Sequence, residues 1–358
     1  MLPSGNHPVN MHWTQLPAET LALLRRGTVI PAHPLALDAA RRLDTRRQRA
    51  LSRYYLDAGS GGLAVGVHAT QFAIRERGLY EPVLRLAAEE ARSWSRRPVF
   101  LVGGLSGKTA QAKQEAAIAR GLGYHAGMLS LGAMAGASVD ELVGHCAAVA
   151  AELPLVGFYL QTAVGGIALP AEFWRRFCEI ENVIAVKIAP FNRYRTLDVV
   201  KGLVAARAEE RVTLYTGNDD HIVLDLLSPF AVKRGREEVR VRIKGGLLGH
   251  WSVWTKYAVE LLERIHELKA VDPEILALDS KVTDANGAFF DVAHDFAGCI
   301  AGCHEVLRRQ GLLEGIWCLD PKEDLSPGQA EEIDRVYATY PEMNDDAFVR
   351  DNLSRWLS

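Results

Sequence analysis

The amino-acid sequence predicts an α/β protein: a (β/α)8 barrel, or TIM barrel, with a C-terminal helical extension. Between residue 27 and about residue 250, eight short apolar runs alternate with longer segments of helical period. The runs lack the alternating polar positions of a strand with one solvent-facing side, so each strand needs cover on both faces. After residue 250 no further strand pattern occurs. This alternation fits a closed parallel barrel better than an open sheet.

The predicted strands and helices follow one another in a regular order. The strands are residues 27–31, 62–67, 99–104, 126–131, 155–160, 183–189, 212–216 and 243–248. Between them lie segments rich in Ala, Leu, Glu and Arg, among them 79–97, 109–120, 138–152, 170–180 and 196–210. Each interval leaves room for a crossover connection, which parallel pairing requires.

Three segments flank or interrupt this pattern. An N-terminal segment, 1–26, precedes the barrel, which is predicted to occupy residues 27–250. Residues 251–358 are predicted to form helices packed on the barrel, with breaks at X-Pro pairs. The segment 228–242 carries five basic residues and is interpreted as a solvated loop or an oligomer contact.

Composition restricts the class of function. The net charge is -3, from 41 basic and 44 acidic residues, so no global field favours nucleic acid or an anionic membrane. The five cysteines include no CxxC pair and are expected to be reduced thiols. No signal-peptide core and no apolar window of about 18 residues is present, so we expect a cytoplasmic protein that acts on a small molecule.

Lys187 lies in the middle of the apolar run 183–189, VIAVKIA. Full burial of an unpaired ammonium lowers its pKa by roughly 3 to 5, which yields a neutral, nucleophilic amine. Side chains alternate along a strand, so Lys187 shares a face with the small Ala185 and Ala189, where a carbonyl compound would fit. The alternative is a lysine that pairs with a buried carboxylate or reaches water past the end of the strand.

Tyr159 lies near the end of the preceding predicted strand, one strand away from Lys187. A phenol beside a buried amine would pass protons to and from the intermediates of imine chemistry. The alternative is a tyrosine that only packs, with its hydroxyl bonded to a backbone carbonyl.

The segment that contains these two residues resembles a known family. The matching motifs are FY at 158–159, GG at 165–166, PAEF at 170–173, IENVIAVK at 180–187, TGNDD at 216–220 and the glycine pairs 103–104 and 245–246. Over roughly residues 25–315 they resemble the dihydrodipicolinate synthase / N-acetylneuraminate lyase family. The resemblance implies a (β/α)8 barrel with a helical C-terminal extension, a Schiff base between Lys187 and pyruvate or a related 2-oxo acid, and a homo-oligomer.

The loop after the second strand departs from the family pattern. Members usually carry Gly-Thr-Thr-Gly-Glu there and bind the substrate carboxylate with it, whereas residues 67–71 read VHATQ. Thr70 keeps one hydroxyl, and His68 is a candidate donor or acid/base group near neutral pH. Ala69, through its backbone, and Gln71 complete the predicted substrate-binding loop. The alternatives are that His68 bonds a neighbouring loop and that Gln71 is structural.

Other departures lie after the fourth and fifth strands. Residues 130–134, SLGAM, lack the second tyrosine of many members, Leu160 replaces a common Asn, and Val164 stands where the synthases place an arginine. Dihydrodipicolinate synthesis is therefore not expected. Gln161 and Gly217 are predicted to contact the substrate, with a structural role as the alternative for Gln161.

Three further groups are candidates for a catalytic, metal-binding or substrate-binding role. Lys244 is a rival amine, but its more polar strand favours a salt-bridged lysine. Cys299, Cys303 and His304 have a helical spacing that would suit a metal, although apolar neighbours favour core packing. The segment 218–220, NDD, would cap the following helix or hold a substrate hydroxyl, and capping is preferred.

The leading functional hypothesis is a class I lyase or aldolase acting on a 2-oxo acid or sugar acid. Lys187 forms the imine, Tyr159 moves protons, and no metal or organic cofactor is required because the imine itself accepts electrons. A sugar-acid dehydratase would use the same lysine. The alternatives from other classes are a catalytically silent binding or regulatory barrel and a metal-dependent aldolase with few candidate ligands.

Overall fold

The computed structural model describes residues 10–358 and confirms the (β/α)8 barrel. The barrel strands are β1 (Val29–Pro31), β2 (Gly62–Val65), β3 (Phe100–Leu105), β4 (Ala126–Leu129), β5 (Leu155–Leu160), β6 (Val183–Ala189), β7 (Thr213–Thr216) and β9 (Glu237–Leu248). They are parallel and lie in the order β1-β9-β7-β6-β5-β4-β3-β2. A bridge between Ala32 and Ala64 joins the two ends and closes the cylinder.

Helices surround the strands and continue into the C-terminal extension. Those up to the last barrel strand are α1 (Ala18–Arg26), α2 (Thr45–Ala58), α3 (Tyr80–Ser93), α4 (Thr109–Gly121), α5 (Val139–Ala150), α6 (Ala171–Glu179), α7 (Arg193–Ala205) and α8 (Ile222–Leu227). After it come α9 (Thr255–Glu267), α10 (Pro273–Phe289), α11 (Cys299–Arg309), α12 (Gln329–Thr339) and α13 (Asp346–Trp356). Within residues 10–358, none of these helices combines the length and apolarity that crossing a bilayer requires.

Side-chain caps fix where several helices begin. Asp44 accepts a hydrogen bond from the Arg47 amide at the start of α2, and Ser138 and Glu141 form a capping box on α5. These side chains satisfy amide groups that a helix leaves without internal partners. These caps therefore help to determine the residues at which α2 and α5 begin.

The N-terminal end of the barrel is closed by the segment before β1. Leu16 and Leu24 join the apolar cluster that fills the lumen, and the Tyr215 hydroxyl donates to the Leu24 carbonyl over 2.8 Å. A plug of this kind removes apolar lumen surface from water. Within residues 10–358, the lumen is therefore open to a ligand from the other end, where the strands terminate.

The charged segment 228–242 is a β-hairpin, so its interpretation as a loop was wrong. Strand β8 (Pro229–Arg234) pairs antiparallel with the first half of β9, from Arg242 back to Glu237. Val239 and Val241 point inward and are 9% and 8% exposed, whereas Arg240 and Arg242 point outward. The charges that suggested a loop are the solvent face of an alternating strand.

Candidate active site

A cavity of about 670 Å³, including its open mouth, lies at the carboxyl ends of the barrel strands. Barrel loops and helix α11 enclose it together. Its lining is Ala32, Pro34, Val67, His68, Ala69, Phe158, Leu160, Gln161, Val164, Lys187, Ala189, Phe191, Gly217, Asp219, Gly249, Phe290, Cys299, Ile300, Cys303 and His304. This end of a (β/α)8 barrel is where reacting groups collect, because several strand ends and loops converge there.

Lys187 projects from β6 into this cavity, as the alternation of the strand predicts. The residue is 7% exposed, and within residues 10–358 its amine makes no hydrogen bond and no ion pair. Gly217 makes room for it, because a Cβ at that position would lie 2.6 Å from Lys187 Cε. The alternative of a lysine clamped by a carboxylate or extended into bulk water is therefore excluded.

The environment of Lys187 shifts its amine towards the neutral form. Burial lowers the pKa of the Lys187 ammonium to about 8, and the nearby Asp219 carboxyl and Cys299 thiol only partly oppose this effect. Removing a cation from water costs more than these neighbours return. A substantial fraction of the amine is thus unprotonated just above neutral pH, as a nucleophile requires.

Phe158, and not Tyr159, faces the amine. Phe158 pairs in register with Lys187, and its ring centroid lies 4.7 Å from Lys187 Nζ. Neighbouring residues on parallel strands present their side chains to the same face, so residue 158 shares the lumen with residue 187 and residue 159 does not. The aromatic ring beside the amine is therefore that of Phe158, which carries no hydroxyl group.

Tyr159 points outward, so its predicted place beside Lys187 is wrong. Its ring packs against Trp174 with centroids 5.2 Å apart. Its hydroxyl donates to the Leu169 carbonyl over 3.2 Å and accepts from the Leu169 amide over 3.1 Å. The alternative interpretation, a packing tyrosine bonded to backbone, describes the observed contacts.

Four of the predicted substrate-binding residues do line the cavity: His68, Ala69, Gln161 and Gly217. Burial, assisted by the positive charge of Lys187, lowers the pKa of His68 to about 4, so its imidazole is neutral. The only ring that contacts it within residues 10–358 is Phe72, with centroids 6.1 Å apart. A neutral imidazole offers one N–H donor and one acceptor to a ligand.

Thr70 and Gln71 do not line the cavity, and their prediction as substrate contacts is wrong. The Thr70 hydroxyl donates to the His33 carbonyl over 2.6 Å and accepts from the Gly66 amide over 2.9 Å. Gln71 Oε1 accepts from the Leu319 amide over 2.6 Å. Both side chains satisfy backbone groups: Thr70 those of Gly66 and His33, and Gln71 that of Leu319 in the C-terminal extension.

Asp219 lines the cavity, although the sequence favours a helix cap over a contact with a substrate hydroxyl for the segment 218–220. Its Oδ1 accepts from the His250 amide over 2.8 Å, and helix α8 begins without a side-chain cap. Burial raises the pKa of Asp219 to about 7, although the charge of Lys187 opposes this. Its position shortly after β7, at the same barrel end as Lys187, is the feature of the sequence that could have identified Asp219 as a cavity residue.

A buried network holds the loop that carries Asp219. Asp225 is fully buried and accepts from Thr216 Oγ1 over 2.7 Å and from Asn218 Nδ2 over 2.9 Å, and it also pairs with Arg193. Hydrogen bonds to a buried carboxylate are stronger than those between neutral groups. The network therefore fixes the backbone between β7 and Asp219.

The residues considered as metal ligands line the cavity, whereas the rival amine of Lys244 lies outside it. Cys299, Cys303 and His304 lie on α11 and face the cavity, and burial raises the thiol pKa values and lowers that of His304. Across residues 10–358 no cluster of three or more acidic, cysteine or histidine side chains is arranged to hold a metal ion. Lys244 is exposed, outside this cavity.

The fold is shared with solved structures of known enzymes, although no protein-family model and no curated protein matches the chain. N-acetylneuraminate lyase from Fusobacterium nucleatum has a TM-score of 0.69 at 16% identity, over 88% of this chain and 99% of that one. Dihydrodipicolinate synthase from Aquifex aeolicus gives 0.68 at 17%, over 89% and 99%.

A third similar structure is the dihydrodipicolinate synthase from Acinetobacter baumannii complexed with pyruvate. Its TM-score is 0.70 at 17% identity, and the match covers 87% of this chain and 98% of that one. At these identities the likeness establishes a common fold across nearly the whole length of the compared enzymes. A shared fold does not specify a function, so the chemistry of this chain depends on the residues of its own cavity.

Proposed function

We propose that this chain is a divergent member of the dihydrodipicolinate synthase / N-acetylneuraminate lyase family and a Schiff-base lyase or aldolase for a 2-oxo acid. The observation that carries the proposal is the buried, unpaired Lys187 amine at the open end of the barrel. Structures with this fold include lyases and synthases, one of them complexed with pyruvate. A cytoplasmic location and a homo-oligomer belong to the same proposal.

The chemistry needs only the chain and its substrate. The neutral Lys187 amine attacks the 2-oxo carbon, and the resulting carbinolamine takes a proton on its hydroxyl group and loses water to give an iminium ion. The iminium accepts the electron pair of a breaking C–C or C–H bond at the adjacent carbon, which yields an enamine. No separate metal or organic cofactor has to supply that electron sink.

The substrate acid group is assigned to the side of the cavity after β2. His68 and Ala69 line the cavity there, and their backbone amides make no hydrogen bond within residues 10–358. Free amides and a neutral imidazole N–H are suitable donors to a carboxylate. Gln161 lines the same cavity and can add an amide donor.

Asp219 is assigned the proton transfers that Tyr159 cannot perform. It lines the same cavity as Lys187 and its charge interacts with that of the amine. A carboxyl group with a pKa of about 7 can both give a proton to the departing hydroxyl and take one from the carbon near neutral pH. The same logic serves C–C cleavage, condensation or dehydration of a sugar acid.

A catalytically silent barrel is the second candidate. Phe158 occupies the lumen position beside Lys187 and the Thr70 hydroxyl is bonded to backbone, so neither residue offers a free hydroxyl group in the cavity. Such a protein would bind a 2-oxo acid without turning it over. In such a protein Lys187 is not expected to form an imine with the bound acid.

Reductive trapping tests the proposal. Incubation with pyruvate and cyanoborohydride is expected to add the mass of one reduced pyruvyl group, located at Lys187 by peptide mass spectrometry. Pyruvate without reductant should leave the mass unchanged. Failure of pyruvate and other 2-oxo acids to label Lys187 would contradict a Schiff-base enzyme and favour the silent barrel.

Tyr159→Phe should cost stability and leave the chemistry intact. Removing the hydroxyl deprives the buried Leu169 amide of its partner, so the free energy of unfolding should fall by about 1 to 3 kcal/mol. Denaturant unfolding measures this, and trapping by pyruvate should be unchanged. Tyr194→Phe, at a side chain 82% exposed, is the matched control and should change stability by less than about 0.5 kcal/mol.

A further inference from the structure

The part of the cavity formed by the C-terminal extension is largely apolar, although His304 and two thiols also line it. Phe290 and Ile300 line it and are each 6% exposed. Phe191, which follows β6, also lines it and packs edge-on against Phe296 with ring centroids 5.8 Å apart. These groups can contact a ligand only through hydrocarbon surface.

The wall after β5 has the same character. Leu160 ends the strand and Val164 lies in the next turn, and both line the cavity. A hydrocarbon chain placed against them would lose contact with water at a gain proportional to the area buried. A hydroxyl placed there would lose its water partners without replacement.

The polar groups of the cavity are few, and most of them have other tasks. His68 and Gln161 are assigned to the acid group of the substrate and Asp219 to proton transfer. His304 is buried, its Nδ1 lies 3.2 Å from the Ile316 carbonyl, and only its Nε2 is left without a partner within residues 10–358. Within residues 10–358, Lys187 is the only lysine or arginine that lines the cavity, so a second anionic group on the substrate would find no cation.

We propose that the natural substrate is a 2-oxo acid whose chain beyond the carbon next to the carbonyl is alkyl or aryl, without hydroxyl or second acidic groups. The proposal rests on the Schiff-base activity proposed above and narrows its substrate class. It disfavours sugar acids, because their several hydroxyls outnumber the available polar groups, and most would be buried against carbon without a hydrogen-bond partner.

A pair of six-carbon 2-oxo acids tests this. Cyanoborohydride trapping is titrated with 2-oxohexanoate and with 2-keto-3-deoxygluconate, which differ in the hydroxyls of the chain, and pyruvate serves as the reference. We expect half-maximal labelling of Lys187 at a concentration at least tenfold lower for 2-oxohexanoate. Equal labelling, a preference for the hydroxylated acid, or labelling by pyruvate alone would overturn the substrate assignment.

Absence of labelling by pyruvate is a different result, because it removes the Schiff-base activity itself and the substrate assignment with it.

A variant adds an internal check. Leu160→Asn introduces a polar group into the wall and should reduce the ratio between the two acids at least threefold. Leu276→Asn, at a residue 43% exposed on α10 and outside the cavity, should leave the ratio unchanged. An unchanged ratio in Leu160→Asn would also contradict the proposal.

Discussion

Lys187→Ala is expected to abolish the pyruvate adduct completely, because no other lysine lines the described cavity. The control is Lys244→Ala, which removes an exposed lysine outside the cavity and should retain full labelling. Intact-protein mass spectrometry after cyanoborohydride measures both. Labelling that persists in Lys187→Ala, or is lost in Lys244→Ala, would assign the nucleophile to a different amine.

The pH dependence of trapping reports the same amine. Since burial lowers the pKa of Lys187 to about 8, the labelling rate in the wild-type protein should rise as pH passes through about 8. A solvent-exposed lysine would show this rise near its ordinary pKa of about 10.4. A midpoint near that higher value would contradict the buried environment.

The lowered pKa of Lys187 also makes the free energy of unfolding depend on pH. Between pH 8 and pH 10.5 the unfolded chain binds the Lys187 proton more tightly than the folded chain, so the free energy of unfolding rises with pH over this window. Lys187→Met removes this contribution, and the difference between the two proteins isolates it from other groups. At pH 7 the variant should be the more stable, by about 1 to 3 kcal/mol, since a buried charge is replaced by an apolar side chain.

Asp219→Asn should uncouple imine formation from proton transfer. The amide keeps the shape of the side chain and can still accept from the His250 amide, but it cannot exchange a proton. The exchange of the pyruvate methyl hydrogens for deuterium, followed by NMR, measures deprotonation of the imine at carbon. We expect it to fall roughly 100- to 10,000-fold while Lys187 remains labelled.

Two comparisons make this result specific. Asp220→Asn changes the neighbouring, exposed carboxyl and should exchange at the wild-type rate. His68→Gln tests the other titratable group near the amine and should weaken pyruvate binding more than it slows exchange at saturation. Exchange that survives in Asp219→Asn and fails in His68→Gln would move the proton-transfer role to the histidine.

The barrel could be predicted from the sequence because its strands are buried on both faces. Runs such as 183–189 contain almost no polar side chain, and this pattern has few structural solutions. The β8–β9 hairpin could not be recognised in the same way. Its outward charges, Arg240 and Arg242, alternate with valines that only the packed structure shows to be buried.

The site was predicted in part. The place of Lys187 follows from strand alternation, and His68, Gln161 and Gly217 reach the cavity because they follow strands. Tyr159 was misplaced because the side of the barrel that a residue faces depends on the pairing between strands. The observed pairing of residue 158 with residue 187 excludes the tyrosine from the lumen.

Local patterns of apolar residues along single strands were enough to predict the barrel and a lysine inside it. The groups that surround this lysine depend instead on how distant elements pack. Asp219, Phe158 and Ile300 meet there from the loop after β7, from β5 and from α11, which are far apart in the chain. The chemistry that a site can perform depends on such distant neighbours, because burial and charge act through space and not along the sequence.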